Sequence, residues 1–328
     1  MLLRNQLYRL LLFITLLSCV ACNDRPETAS VPDDGAARPY IVFVTGDEEY
    51  RSEESMPMLA KLAERELNAR VNVCYALDSL GFVDPNNNQN IEGLEALKDA
   101  DLMVLFTRWR ALPDDQLQQI LDFAESGKPM VGFRTSTHAF LYKNDSTKAQ
   151  YNDEWSIKVF GQKWITHHGH FKDGHNPLTD VSVVADKANH PILTGFEPFK
   201  AYSWLYHVEG SGYSLYGDSD PLLRGKSLRS NYAESKEFPL TNPVAWTKSY
   251  TGDSGNKARV FFTTLGHPFD FQETSMRRLA LNGIAWALGE EAKIPAAGFD
   301  VSVEGYDPNN SGFGQKFKAE LRPRMMID

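Results

Sequence analysis

Residues 129–140 read Pro129-Met130-Val131-Gly132-Phe133-Arg134-Thr135-Ser136-Thr137-His138-Ala139-Phe140. An apolar run of β-branched and aromatic residues stops abruptly at Arg134. Three hydroxyl residues and a histidine follow. This is the pattern of a buried strand that delivers polar side chains to the carboxyl edge of a sheet, where open α/β folds bind their ligands. The rest of the chain reads as the sheet beneath that edge or the cover above it.

Upstream, short apolar runs at residues 40–45, 71–75 and 102–107 have the length and composition of strands. Between them, Met58, Leu59, Leu62, Ala63 and Leu67 recur at helical spacing, and Ile91, Leu94 and Leu97 mark a short helix. Pro113 opens a third helix, with Leu117, Ile120, Leu121 and Ala124 on one face and Gly127 at its end. Four strands alternating with three helices predict an α/β fold with a mostly parallel sheet and right-handed crossovers. Downstream, residues 181–184 are the only clear strand before an antiparallel pair at 244–250 and 258–264. A last helix is expected over 276–288.

The chain has 328 residues, 42% of them hydrophobic and 23% charged, which is the composition of a globular protein. Its net charge of −9 argues against nucleic acid as a partner. At the N-terminus, Arg4 and Arg9 precede a short apolar core at 10–17, the pattern of a targeting segment. Ser18-Cys19 and Ala21-Cys22 both resemble a lipobox, with Cys22 preferred because a polar linker begins there. The expected organisation is a lipoprotein signal at 1–22, a polar tether at 23–38, one domain at 39–290 and a C-terminal tail at 291–328. Such a chain would be held to the cell envelope by its lipid, on a periplasmic or outer-membrane face. Cys74, inside the second strand, reads as a buried inert thiol.

All eight histidines lie between His138 and His267. Bunching near the ligand edge is the strongest functional signal in the chain. On an extended segment His168 and His170 would point one way and His167 the other. With His175 nearby, His168 and His170 are candidate ligands for a transition metal, the one cofactor the residues suggest. Without a metal, the same rings could exchange protons. Thr263-Thr264-Leu265-Gly266-His267 repeats the logic of the opening stretch, and the plain alternative for His267 is to cap the helix that follows. Arg134 stands where elbow enzymes place a nucleophile, which arginine cannot be. Its fork can hold a carboxylate or vicinal hydroxyls, or it can pair with Asp47 or Glu48. Trp155, Trp164, Tyr202, Trp204 and Tyr206 suit sugar rings, or a core.

These segments together resemble the ThuA-like family, named for trehalose utilisation. The resemblance runs from about Tyr40 to Gly289. It rests on Gly46 after the first strand, on Gly132 to Phe140, on Phe160-Gly161 followed by His167-His168-Gly169-His170, and on Asn189-His190-Pro191-Ile192. Tyr206-His207, Thr264-Leu265-Gly266-His267 and Asn282-Gly283-Ile284-Ala285-Trp286-Ala287 complete it. It implies a flavodoxin-like, class I glutamine-amidotransferase-like three-layer sandwich and a link to carbohydrate metabolism. Amidotransferase chemistry does not carry over, because the elbow holds Arg134 in place of cysteine.

Three functions follow as expectations. The first is a sugar or keto-sugar isomerase, lyase or hydrolase in which His138, His267 and His168 are catalytic. Arg134, Thr135, Thr137, His170, Tyr206 and Gly46 would bind the substrate. The second is a carbohydrate-binding protein without turnover. The third is a metal-dependent hydrolase built on residues 167–175.

Overall fold

The computed structural model describes residues 38–169, 176–229 and 238–327. The proposed signal, tether and lipidation cysteines therefore lie outside the described residues, as do His170 and His175.

The four expected strands are β1 (Tyr40–Gly46), β2 (Arg70–Cys74), β3 (Leu102–Thr107) and β4 (Met130–Phe133). β1, β3 and β4 are buried along nearly their whole length, which their apolar sequences require when helices cover both faces of a sheet. The helices between them are α1 (Ser52–Leu67) and α2 (Asp114–Glu125), and the short helix expected around Ile91, Leu94 and Leu97 is a 3₁₀ turn, Leu94–Lys98. β5 (Thr179–Val183), β6 (Phe199–Ala201) and β7 (Asp220–Ser227) follow a short helix α3 (Glu154–Phe160). The expected antiparallel pair is β8 (Thr241–Thr251) with β9 (Lys257–Thr263), and α4 (Thr274–Leu288) follows.

All nine strands join one sheet in the order β2-β1-β3-β4-β9-β8-β7-β5-β6. The expectation of a mostly parallel sheet needs correction. β2, β1, β3, β4 and β9 run parallel, while every pairing from β9 outward to β6 is antiparallel. The sheet is mixed because the region from Arg134 to Thr263 returns strands through hairpin-like connections, which need no crossover helix. β4 pairs directly with β9, with Phe133 opposite Thr263, so the two polar elbows that follow these strands emerge side by side.

Two apolar layers cover the sheet. One joins α1 and α4 to Phe43, Phe106 and Phe133, and the other joins α2 and α3 to Val44, Leu105 and Phe262. Gly132 permits the second layer to close. A Cβ there would stand 2.6 Å from Phe262 and 2.7 Å from Phe160. Cys74 is buried, and burial raises its thiol well above the ordinary range. No helix among the described residues is long and apolar enough to cross a membrane.

Candidate functional site

The carboxyl edge of the parallel half carries three residues in left-handed backbone conformations: Arg51 (φ 55°) after β1, Trp109 (φ 48°) after β3 and Arg134 (φ 40°) after β4. Such a conformation costs a side-chain-bearing residue on the order of 1–3 kcal/mol and concentrates where function shapes the backbone. Gly266, after β9, lets its neighbour approach closely: a Cβ there would lie 3.2 Å from the Arg134 Cβ.

Arg134 is fully buried. Its Nη1 donates to Thr264 O at 2.8 Å and Trp204 O at 3.3 Å, and its Nη2 donates to the Tyr50 hydroxyl at 3.0 Å. The guanidinium carbon lies 4.1 Å from the Tyr50 ring centroid and 4.5 Å from that of Tyr206. Arg134 is thus a post that ties four loops together, while its Nε makes no hydrogen bond among the described residues. The alternative ion pair is not made. Asp47 accepts from the amides of Glu49 and Tyr50 at 2.7 and 2.9 Å and from the Thr135 hydroxyl, and Glu48 pairs with Arg108 and Arg110.

Thr135 is therefore spent on Asp47, and Gly46 sits beneath Arg110 at the back of the edge. Thr137 has another task. Its Oγ1 lies 3.1 Å from Arg134 O and 3.0 Å from His138 Nδ1. A hydroxyl has one proton. Given to the carbonyl, it leaves His138 Nδ1–H as the donor and places the lone pair on Nε2. That nitrogen makes no hydrogen bond among the described residues and is not among the fully buried orphan atoms. The His138 ring packs against Trp109, Trp164 and Tyr206, with centroids 5.5, 5.6 and 6.4 Å away. Burial first, then Arg108 and Arg134, hold its pKa well below the usual histidine value. The ring is neutral at pH 7.

His267 both caps a turn and lines a cavity. Its Nδ1 accepts from Phe269 N at 3.1 Å in a capping box completed by Asp270. That leaves the ring proton on Nε2, 2.9 Å from the Ser311 hydroxyl. The cavity, about 200 Å³, is also lined by Glu49, Tyr202 and Trp204. His267 lies on the Tyr50 side of Arg134, with ring centroids 6.3 Å apart, whereas His138 lies on the Tyr206 side.

The two rings of the histidine doublet lie on opposite sides, as the alternation requires. His167 stacks on Trp204 with centroids 4.7 Å apart, and burial with Arg134 nearby lowers its pKa to about 4. His168 is buried on the other side and donates Nε2–H to Pro239 O at 2.9 Å. The reason is the backbone: His167 forms an antiparallel bridge with Tyr206, which fixes its side chain toward the edge. A metal on His168 would have to use Nδ1. No group of three or more potential ligands stands together among the described residues.

Glu49 is the residue that sequence reasoning passed over. It is 6% exposed, its Oε2 lies 3.2 Å from Arg108 Nε, and burial raises its pKa to about 7 against the pull of Arg108. Arg108 in turn lies 3.7 Å over the Trp109 ring that touches His138. The available signal was the run Gly46 to Tyr50 at the end of the first strand, placed at the same edge as Arg134.

Sequence comparison matches residues 41–287 to the family described as ThuA: Trehalose utilisation. The chain belongs to the ThuA family. Its similarity to solved structures is distant. A putative ThuA-like protein from Parabacteroides merdae ATCC 43184 is 16% identical, with 88% of this chain and 99% of that chain covered at a TM-score of 0.48. One from Bacteroides uniformis ATCC 8492 is also 16% identical, with 79% and 95% covered at 0.47. No curated protein matches the chain. The ThuA match ends at residue 287, so the segment carrying Ser311 lies beyond it.

Proposed function

We propose that this ThuA-family chain acts on a sugar or keto-sugar at the carboxyl edge of its sheet, with His138 as proton acceptor. The observation that carries the reading is the neutral His138 ring, whose Nε2 is unengaged among Trp109, Trp164 and Tyr206. Aromatic faces hold the apolar side of a sugar ring. A lone pair between them is placed to take a proton from a carbon beside a keto group. Glu49, with its pKa near 7, is a carboxyl able to return a proton at neutral pH. The N-terminal segment supports a lipid anchor at Cys22 or Cys19 and a place in the cell envelope. The tail from residue 291 would then complete the single domain.

The test is turnover of a 3-ketoglycoside by the wild type, His138→Ala and Glu49→Gln. The reading expects a loss of at least 100-fold with His138→Ala. Equal rates in all three proteins would refute it.

A second reading, a binder without turnover, draws on one observation. Arg134, a cation close to His138, gives three of its Nη protons to protein acceptors. Calorimetry with recovery of the ligand separates the two, since a binder returns the sugar unchanged. Metal analysis of protein purified without tag or chelator tests the hydrolase alternative.

A further inference from the structure

A second cavity lies at the edge of the sheet opposite Arg134, where β8 turns into β9 and Thr251 pairs with Lys257. Its volume is about 510 Å³. Ligand pockets ordinarily span roughly 300–1,000 Å³. Trp155, Tyr216 and Tyr250 give it aromatic walls, and Glu125, Glu154 and Asp253 give it carboxyl groups. Lys248 also lines it and is buried.

The Lys248 amine stands between two other lining residues. Its Nζ donates to Lys158 O and to Ser249 O, each at 2.7 Å. It makes no ion pair among the described residues. Asp218, the acid whose charge it feels, accepts instead from Ser249 N at 2.9 Å and faces Lys257 at 3.8 Å. The Tyr250 ring centroid, 5.7 Å from Nζ, is at the limit of a cation–π contact. Two acceptors match the two protons of a neutral amine and leave its lone pair unengaged. A charged ammonium has a third proton, for which no protein acceptor is present among the described residues.

A buried lysine without a counter-ion, set in a cleft, is the arrangement that makes an amine a nucleophile toward carbonyl carbon. Burial lowers the Lys248 pKa to about 8 against the pull of Asp218. At pH 7.5 roughly a quarter of such amines are neutral, against about one in a thousand for an ordinary lysine. The rest of the wall selects the carbonyl compound. Aromatic faces take C–H surface, carboxylates accept from hydroxyls, and three acidic residues repel an anion. We infer that Lys248 is the nucleophile of a second site, which takes a neutral hydroxyaldehyde and holds it as a Schiff base. The Nζ lone pair forms the C–N bond as the carbonyl π pair moves to oxygen. Both amine protons then depart with that oxygen as one water, leaving C=N. No oxidant or reductant enters the step. The site is separate from the carboxyl edge and does not depend on the reading of His138.

Reductive trapping on the full chain tests it. The protein is treated at pH 7.5 with an aldehyde and cyanoborohydride, and the modified lysines are mapped by mass. Formaldehyde reads the reactivity of the amine. Lys248 should be modified at least 10-fold faster than exposed Lys226, and an equal or lower rate would overturn the nucleophile. Glyceraldehyde reads recognition. Its rate at Lys248 should level off with concentration while the rate at Lys226 rises linearly. Tyr216→Ala removes a half-exposed side chain from the wall. It should slow glyceraldehyde at Lys248 at least 5-fold and leave the formaldehyde rate unchanged, which also checks folding. A linear rise at Lys248, or no effect of Tyr216→Ala, would overturn the hydroxyaldehyde site. Glyoxylate, an anionic aldehyde, should react at Lys248 more slowly than glyceraldehyde, and the reverse order would overturn the selection for a neutral ligand.

Discussion

The Tyr206 ring lies under the Arg134 guanidinium, 4.5 Å from its central carbon, and Tyr206 is also the backbone partner of His167. One buried cation thus holds the strand elbow, the histidine doublet and the aromatic loop in register. Cation–π contacts in desolvated surroundings are worth about 2 kcal/mol.

Replacing Arg134 tests that role. Arg134→Met removes the donor to Thr264 O, where an orphaned buried carbonyl costs about 1–3 kcal/mol, and the cation–π contacts to Tyr50 and Tyr206, worth about 2 kcal/mol. Urea unfolding should show a stability loss of about 3 kcal/mol or more with an unchanged slope. A variant as stable as the wild type would mean the cation exists for a ligand.

Glu49 should leave a signature in the pH dependence of stability. Its folded pKa of about 7 exceeds the ordinary 4.5, so between those values the folded state holds a proton that the unfolded state has lost. Stability from this group falls as pH rises through that window. Glu49→Gln should therefore gain on the wild type by up to about 3 kcal/mol between pH 4.5 and 7, and the difference should be flat above. A pH-independent difference would show that the carboxyl is ionised throughout.

His167 acts in the other direction. Its pKa of about 4 lies below the ordinary 6.5, so the unfolded state takes up the proton first as pH falls. Stability is lost between pH 6.5 and 4, on the order of 3 kcal/mol in total. His167→Phe keeps the stack on Trp204 and should flatten this limb in denaturant titrations at successive pH values. An identical limb in the variant would assign it elsewhere.

Lys248, 5% exposed, tests the opposite end of the sheet. Its Nζ donates to Lys158 O and Ser249 O, each at 2.7 Å, near the end of α3, and burial lowers its pKa to about 8. The charged form is destabilised below pH 8, and the penalty is relieved as pH rises to 10.5. Relative to Lys248→Met, the wild type should gain about 3 kcal/mol across that interval. No relative change would mean that the ammonium is as well solvated as in the unfolded chain.

What was legible in the sequence followed the physics of burial. β1, β3 and β4 are covered on both faces, so their residues are uniformly apolar and stand out. β6 has three residues, and β7 carries Pro221, Arg224 and Lys226 with register shifts against β8, so neither shows a clean period. Their antiparallel pairing was hidden for that reason. At the site, the elbow after β4 was readable because an apolar run ended at charge. The direction of His168 was not, since it depends on the bridge between His167 and Tyr206. Glu49 was obscured by its acidic neighbours, two of which, Asp47 and Glu48, serve the scaffold.

The reversal of strand direction at β9 has a consequence for how this architecture can diversify. Arg134 is held by the loops after β1, β4 and β9, but two of its partners, Trp204 and Tyr206, stand on the segment that leaves β6. β6 ends the sheet at the far margin as a three-residue strand. A hairpin added or lost there would pass directly into the loop that brings Trp204 and Tyr206 to the buried cation. Descendants of such a chain are constrained at a flank that looks expendable, because its shortest strand feeds the packing around Arg134.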